Sequence, residues 1–305
     1  MTTSTEPRES PAAVRPAPPR AERIGLYLPG TALTILAVIL LGFVAHVVLL
    51  SQVRYARAQQ LAYADFRADL AEATAPVGQT DDQGRLLRPG TSVAVLRIPA
   101  LGERQVVVEG TEAGVLMAGP GHRRDTVLPG QAGTSVIMGR QATYGGPFGR
   151  IALLSPGDQV TVTTGQGVHT YVVRGVRRPG DPAPPALTGG AGRLTLVTVA
   201  GRPFMPRELV RVDAELTSPA QPSPKRVLGR GETALLPEER ALASDQGAWI
   251  GLVLLTQALL AAVIGIAWAR VRWGAPQAWV VGFPVVGGLG MVTADQIMRL
   301  LPNLL

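Results

Sequence analysis

The stretch RLTLVTVAGRPF, residues 193–204, decides how the chain is read. Leu194, Leu196 and Thr198 alternate with Thr195, Val197 and Val199, the period of two that sends successive side chains to opposite faces of a strand. Gly201 and Pro203 then interrupt the run. A rigid strand end opening into a loop is a favoured place to hold a reactive side chain. The residue at that place is Val199, which carries no reactive group.

Working outward, the same alternation recurs from residue 91 to about 217. VAVLRI (93–98), QVVVE (105–109), TSVIMG (134–139), QVTVTT (159–164), HTYVVRGV (169–176) and ELVRVDAEL (208–216) each favour a strand, bounded by Gly, Pro or Asp. Seven or eight strands with no long helical pattern between them predict an all-β barrel or sandwich.

The flanks are of another kind. Residues 1–23 are Thr-, Pro-, Ala- and Arg-rich and read as a disordered cytoplasmic tail. Residues 24–53 contain a long run without Asp, Glu, Lys or Arg, more than the roughly 20 residues that cross a bilayer, and are expected to form a first transmembrane helix. Residues 54–90 follow as a helical stalk and linker, with apolar residues at three- and four-residue spacing over 52–73. After the β segment, residues 218–246 read as a Pro-rich linker ending in a short helix, and residues 247–269 and 274–298 as two further transmembrane helices. The intervening WARVRW reads as a tight basic turn, and the positive-inside rule assigns Arg270 and Arg272 to the cytoplasm. Three spans then place the β domain and the last residues outside the cell. Small residues at helix-packing spacing (Gly247 and Gly251, Ala261 and Gly265, Gly287, Gly288 and Gly290) predict close helix contact. His46 falls in the first span, where it is expected to hydrogen-bond another helix, and Asp295 in the third, where Arg299 at i,i+4 is the expected partner.

Composition narrows the function classes. The net charge of +7 comes almost wholly from arginine, scattered instead of clustered with aromatics, so nucleic acid is not an expected partner. Cysteine is absent, which excludes disulfides, Cys-ligated zinc, iron–sulfur clusters and a thiol nucleophile. With only three histidines, all dispersed, no metal site and no cofactor is expected.

The β segment resembles the sortase family, the membrane-anchored cysteine transpeptidases of Gram-positive bacteria, and most of all the actinobacterial class E type. The residues that carry the resemblance run in order: RIPALG (97–102), VVVEGTE (106–112), LMAGPGHRRDTVLPGQAGTSVIMGR (116–140), GGPFGRIALLSPGDQVTV (145–162), TYVV (170–173) and LTLVTV (194–199). It implies an eight-stranded sortase-type barrel over residues 91–217, joined to three transmembrane α-helices. It also implies a site of histidine, cysteine and arginine. Here the histidine position holds Arg140 and the cysteine position Val199; the arginine position falls at Arg207, with Arg211 on the same strand face.

Those two residues cannot do the family's chemistry. Acyl transfer needs a nucleophile able to form a covalent intermediate and a group able to protonate the leaving amine. Valine has no lone pair, and arginine, with a pKa above about 12, neither gives nor takes a proton near neutrality. No catalytic residue is therefore expected, and the chain reads as a degenerate member of the family. Arg140, Arg207, Arg211, His122 and Thr198 are candidates to line a ligand cleft. Thr198 points to the opposite strand face from Val199, and His122 belongs to the GPGH turn. Two guanidiniums in one cleft predict a carboxylate or an acidic segment between them.

Three function classes stay open on the sequence. The leading one is an inactive sortase-like membrane protein whose extracytoplasmic barrel is a binding or scaffold module of the cell envelope. Its partners would be the membrane and a sorting-signal-like peptide, an active sortase or another envelope protein. The second is an active sortase-like transpeptidase or hydrolase with an unrecognised nucleophile. The third is a structural subunit of a larger membrane assembly.

Overall fold

A computed structural model describes residues 41–202 and 204–305. The chain divides into a unit of residues 1–42, of which only Leu41 and Gly42 are described, and a main unit, Phe43–Leu305, to which all that follows refers. The predicted tail and residues 24–40 of the predicted first span lie outside the described residues.

Eight strands form a closed barrel: β1 (Ser92–Ile98), β2 (Glu103–Glu109), β3 (Gly121–His122), β4 (Gly133–Met138), β5 (Gln159–Thr164), β6 (Gly167–Arg177), β7 (Gly192–Arg202) and β8 (Met205–Leu216). Their order is β1-β2-β3-β4-β7-β8-β6-β5, with β2–β3 and β4–β7 parallel and the other ladders antiparallel. Closure leaves no free edge. The interior is filled by the inward half of each alternating run, with Leu96, Ile137, Val162, Leu194, Leu196 and Val212 all at most 1% exposed.

The helix α1 (Ser51–Ala71) continues from a π turn at His46–Leu50. It packs along the barrel. Phe66 is fully buried against Val95 and Val106, and the Gln59 side chain accepts from the Val106 amide at 2.7 Å and donates to the Val106 and Ala118 carbonyls. The short β3 meets β2 only at Val108 and Glu109, so Gln59 supplies the bonds that a longer neighbour would have made.

Residues 218–246 are likewise docked on the barrel. Gln79 Oε1 accepts from the amides of Val227 and Leu228, Ser223 donates to Gln131, and two single 3₁₀ turns stand at Glu232–Ala234 and Pro237–Glu239.

Two helices complete the chain, α2 (Ala248–Trp273) and α3 (Ala275–Leu300). Their segments Ala248–Ile266 and Pro276–Leu300 are each long and apolar enough to cross a membrane. The described residues hold two such helices, not three. The expected WARVRW turn is helical; the chain reverses at Gly274, whose φ of +99° suits glycine. Of the small residues expected at the helix contact, Gly251 is there and most of the other glycines are not. Gly265, Gly287, Gly288 and Gly290 face open space, whereas Gly282 meets Ile266 and Gly251 meets Gln296. These two glycines let the helices approach closely.

Candidate functional site

The parallel ladder of β4 and β7 sets the geometry of the site. Met138 stands beside Val197, the Gly139 amide donates to the Val197 carbonyl at 3.0 Å, and Thr198 Oγ1 donates to the Gly139 carbonyl at 2.9 Å. Arg140 follows the end of β4, whereas Val199 lies within β7, which continues paired with β8 to Arg202 instead of opening into a loop at Val199. Leu194, Leu196 and Thr198 take the inner face of β7, as the alternation predicts. Val197 and Val199 take the outer one, in a second apolar cluster with Leu116, Val136 and Met138.

Residues 301–305, Leu-Pro-Asn-Leu-Leu, lie on that cluster and fill the groove. Leu304 is fully buried and Leu305 is 5% exposed, both packed with Val197 and Val199. The Gln141 amide donates to the Leu304 carbonyl at 2.9 Å, and the Asn303 amide donates to the Ala243 carbonyl at 2.8 Å. The Asn303 side chain donates to the carbonyls of Thr111 and Arg240 at 2.8 and 2.9 Å. A turn, Leu305 N–H to Pro302 carbonyl at 3.1 Å, keeps the segment compact.

Arg140 closes the end of the groove. It is fully buried, and its guanidinium donates to the Leu305 main-chain oxygen at 3.1 Å, to Thr143 Oγ1 at 3.0 Å and to the Ala113 carbonyl at 2.9 Å. Thr143 Oγ1 in turn donates to the Leu305 oxygen at 2.6 Å. Its three acceptors are one hydroxyl and two main-chain oxygens, and among the described residues no Asp or Glu side chain pairs with it. Burial pulls its pKa down to about 10, against a smaller upward pull from Tyr144, so it remains a cation at neutrality.

The loop after Arg140 holds a polar cluster against the helices. Tyr144 (φ +48°) and Gly145 (φ +80°) adopt left-handed backbone, and a Cβ at Gly145 would lie 2.4 Å from the Tyr55 ring. Tyr144 stacks under Arg140, 5.3 Å from ring centre to guanidinium, and its hydroxyl donates to Asp295 Oδ1 at 2.9 Å. Burial first, then Asp295, pushes the Tyr144 pKa up. Asp295 also meets His46 Nε2 at 3.1 Å and pairs with Arg54, so the expected Arg299 is not its partner. Arg299 lies instead beside Gly114.

The other candidates are placed apart. His122 sits on β3, separated from β7 by β4, with Nδ1 at 2.8 Å from Glu109 Oε2 and Nε2 at 2.9 Å from the Val127 carbonyl. Arg211 is half-buried opposite Val197, Val199 faces Leu209, and Arg207 is exposed beyond them. His169 is buried against Thr164 Oγ1 at 3.0 Å. Thr143, Tyr144 and residues 301–305 were not legible as site residues.

Residues 96–205 match the family model of the sortase domain. Sortase D of Bacillus subtilis (strain 168) is 33% identical over 84 residues, which are 28% of this chain and 41% of that protein, so the match spans less than half of the relative. A Clostridium perfringens Sortase D5 transpeptidase is 21% identical, covering 53% of this chain and 99% of that one with a TM-score of 0.44. Sortase E from Streptomyces avermitilis is 33% identical, covering 43% of this chain and 91% of that one with a TM-score of 0.37. The family-model match and the sortase D relative support the sortase family for the barrel.

Proposed function

We propose that this barrel is a catalytically inactive, class E-type sortase domain, held outside the cell membrane and acting as a binding or scaffold module of the envelope. The observation that carries the reading is that Arg140, just past the end of β4, and Val199, on β7, are both buried against residues 301–305, in a chain without cysteine. A nucleophile must offer a lone pair to the reacting carbon, and valine has none. A general base must be free to accept a proton, and Arg140 is a cation that donates to three oxygens. Thr143 brings a hydroxyl to the same place, but it donates its hydrogen bond to the Leu305 main-chain oxygen, and among the described residues no histidine or Asp/Glu side chain is bonded to it. His122 has both ring nitrogens engaged elsewhere.

The test uses the full chain in detergent, incubated with sorting-signal peptides and an amine acceptor and read by mass spectrometry. The wild type is expected to return every peptide intact. Cleavage or transfer by the wild type would overturn the reading.

A further inference from the structure

The groove and its occupant are separable parts of the molecule. The barrel interior is one apolar cluster and the groove bed another; Leu304 and Leu305 belong to the second, and Leu301 also packs on the cluster of Val47, Tyr55, Tyr144 and Met298, but none of the segment enters the barrel interior. The strand ladders under the bed are complete without the segment. What holds the segment is recognition of a peptide. Gln141, Arg140 and Thr143 bind its main-chain oxygens, the Ala243 carbonyl takes a main-chain amide, and the Thr111 and Arg240 carbonyls take the Asn303 amide.

The fit is also incomplete. Arg140 Nε, Gln141 Oε1 and Asn303 Oδ1 are buried with no hydrogen-bond partner, and each such atom weakens the hold of the present occupant.

Resting on the reading of the barrel as a binding module, we propose that residues 301–305 are a resident ligand. The segment leaves the groove reversibly, and the groove then takes a partner's short apolar peptide of the same chemistry: a Leu-Pro-Asn-Leu-Leu turn with one side-chain amide. A tethered occupant competes at high effective concentration, roughly millimolar for a short tether. The trans peptide therefore binds only when the segment is weakened. Arg140 is assigned the task of gripping the peptide's main-chain oxygen at the end of the groove.

The cysteine-free chain allows a direct test. Val199→Cys places a single thiol on the groove floor of the full chain, and maleimide labelling reads its access. Labelling is expected to be at least tenfold faster when Leu304→Asp is added, because a carboxylate cannot stay in the apolar bed. Acetyl-Leu-Pro-Asn-Leu-Leu-amide at millimolar concentration is expected to slow it again. Equal rates with and without Leu304→Asp would overturn the resident-ligand assignment. An opened groove that the peptide does not protect would overturn the peptide site. A thermal melt confirms that each variant is folded. Should Leu304→Asp fail to fold, Asn303→Ala in its place is expected to raise the rate, and to raise hydrogen exchange at the Gln141 amide; no change in either would overturn the proposal. Mass spectrometry of the same peptide separates the two readings. Cleavage by the wild type would sink catalytic inactivity, whereas the labelling rates alone decide residency.

Discussion

The guanidinium of Arg140 donates to the main-chain oxygen of Leu305, 165 residues further along the chain, at 3.1 Å. The same guanidinium lies over Tyr144, and the Tyr144 hydroxyl reaches Asp295 on α3. The end of the groove is thus joined to the helical hairpin twice, through the segment that follows α3 and through the side chains of α3 itself.

For Arg140, two effects compete on substitution. Arg140→Met leaves the Ala113 carbonyl unpaired, at about 1–3 kcal/mol, but removes the desolvation cost of a fully buried cation. Thr143 still holds the Leu305 oxygen. The expected loss is at most about 2 kcal/mol. Arg140→Glu sets an anion against three oxygens and is expected to lose about 3–5 kcal/mol. Denaturant midpoints of the full chain in detergent give the order; equal losses would show that the oxygens around Arg140 do not matter.

Asp295 is expected to behave as the centre of a unit. Asp295→Asn removes the charge that faces Arg54 and weakens the contacts to His46 and Tyr144, at about 2–4 kcal/mol. Tyr144→Phe alone removes one hydrogen bond, at about 1 kcal/mol. In the Asp295→Asn background the tyrosine substitution is expected to cost less, because its partner has already been weakened. A double-mutant cycle read by thermal shift checks this; strict additivity would mean that the two residues act separately.

Much of the barrel is legible in the sequence because alternation is a local property. Seven strands follow from runs such as QVTVTT, whereas β3 escapes: Gly121 and His122 are too few for a period and exist as a strand only because β2 and β4 hold them. Arg140 and Val199 are legible as empty catalytic positions through the family resemblance. Their surroundings are not. Leu-Pro-Asn-Leu-Leu has no periodicity, and its place is set by contacts with residues as distant as Thr111 and Gln141. Asp295 misled for the same reason, since i,i+4 spacing offers Arg299 while the fold brings His46, Arg54 and Tyr144.

The turn at Gly130 is expected to tolerate no side chain. Its φ is +94°, and a Cβ there would lie 2.3–2.4 Å from the His169 ring. Left-handed backbone costs a non-glycine residue about 1–3 kcal/mol, and overpacking adds about 1–3 kcal/mol. Gly130→Ala should therefore lose about 2–5 kcal/mol, whereas Gly157→Ala, also at positive φ but in open space, should lose only the backbone part. Equal losses in urea unfolding would remove the role given to the His169 contact.

His169 itself predicts the acid behaviour of the barrel. Its ring is buried, with Thr164 Oγ1 at Nε2, and burial lowers its pKa below the usual 6.5 by disfavouring the charged form. In the unfolded chain the ring takes up its proton near pH 6.5; in the folded chain it does so only at lower pH. Between those points the unfolded state holds more protons, so stability rises with pH. The contribution is present above pH 6.5 and is lost as pH falls through the folded value. His169→Gln removes this titration and keeps a hydrogen-bonding side chain beside Thr164. The stability difference between wild type and variant is therefore expected to shift against the wild type as pH is lowered from about 7.5 to about 5. Urea midpoints of both proteins across that range are the measurement. A difference that stays constant with pH would show that His169 does not titrate with unfolding.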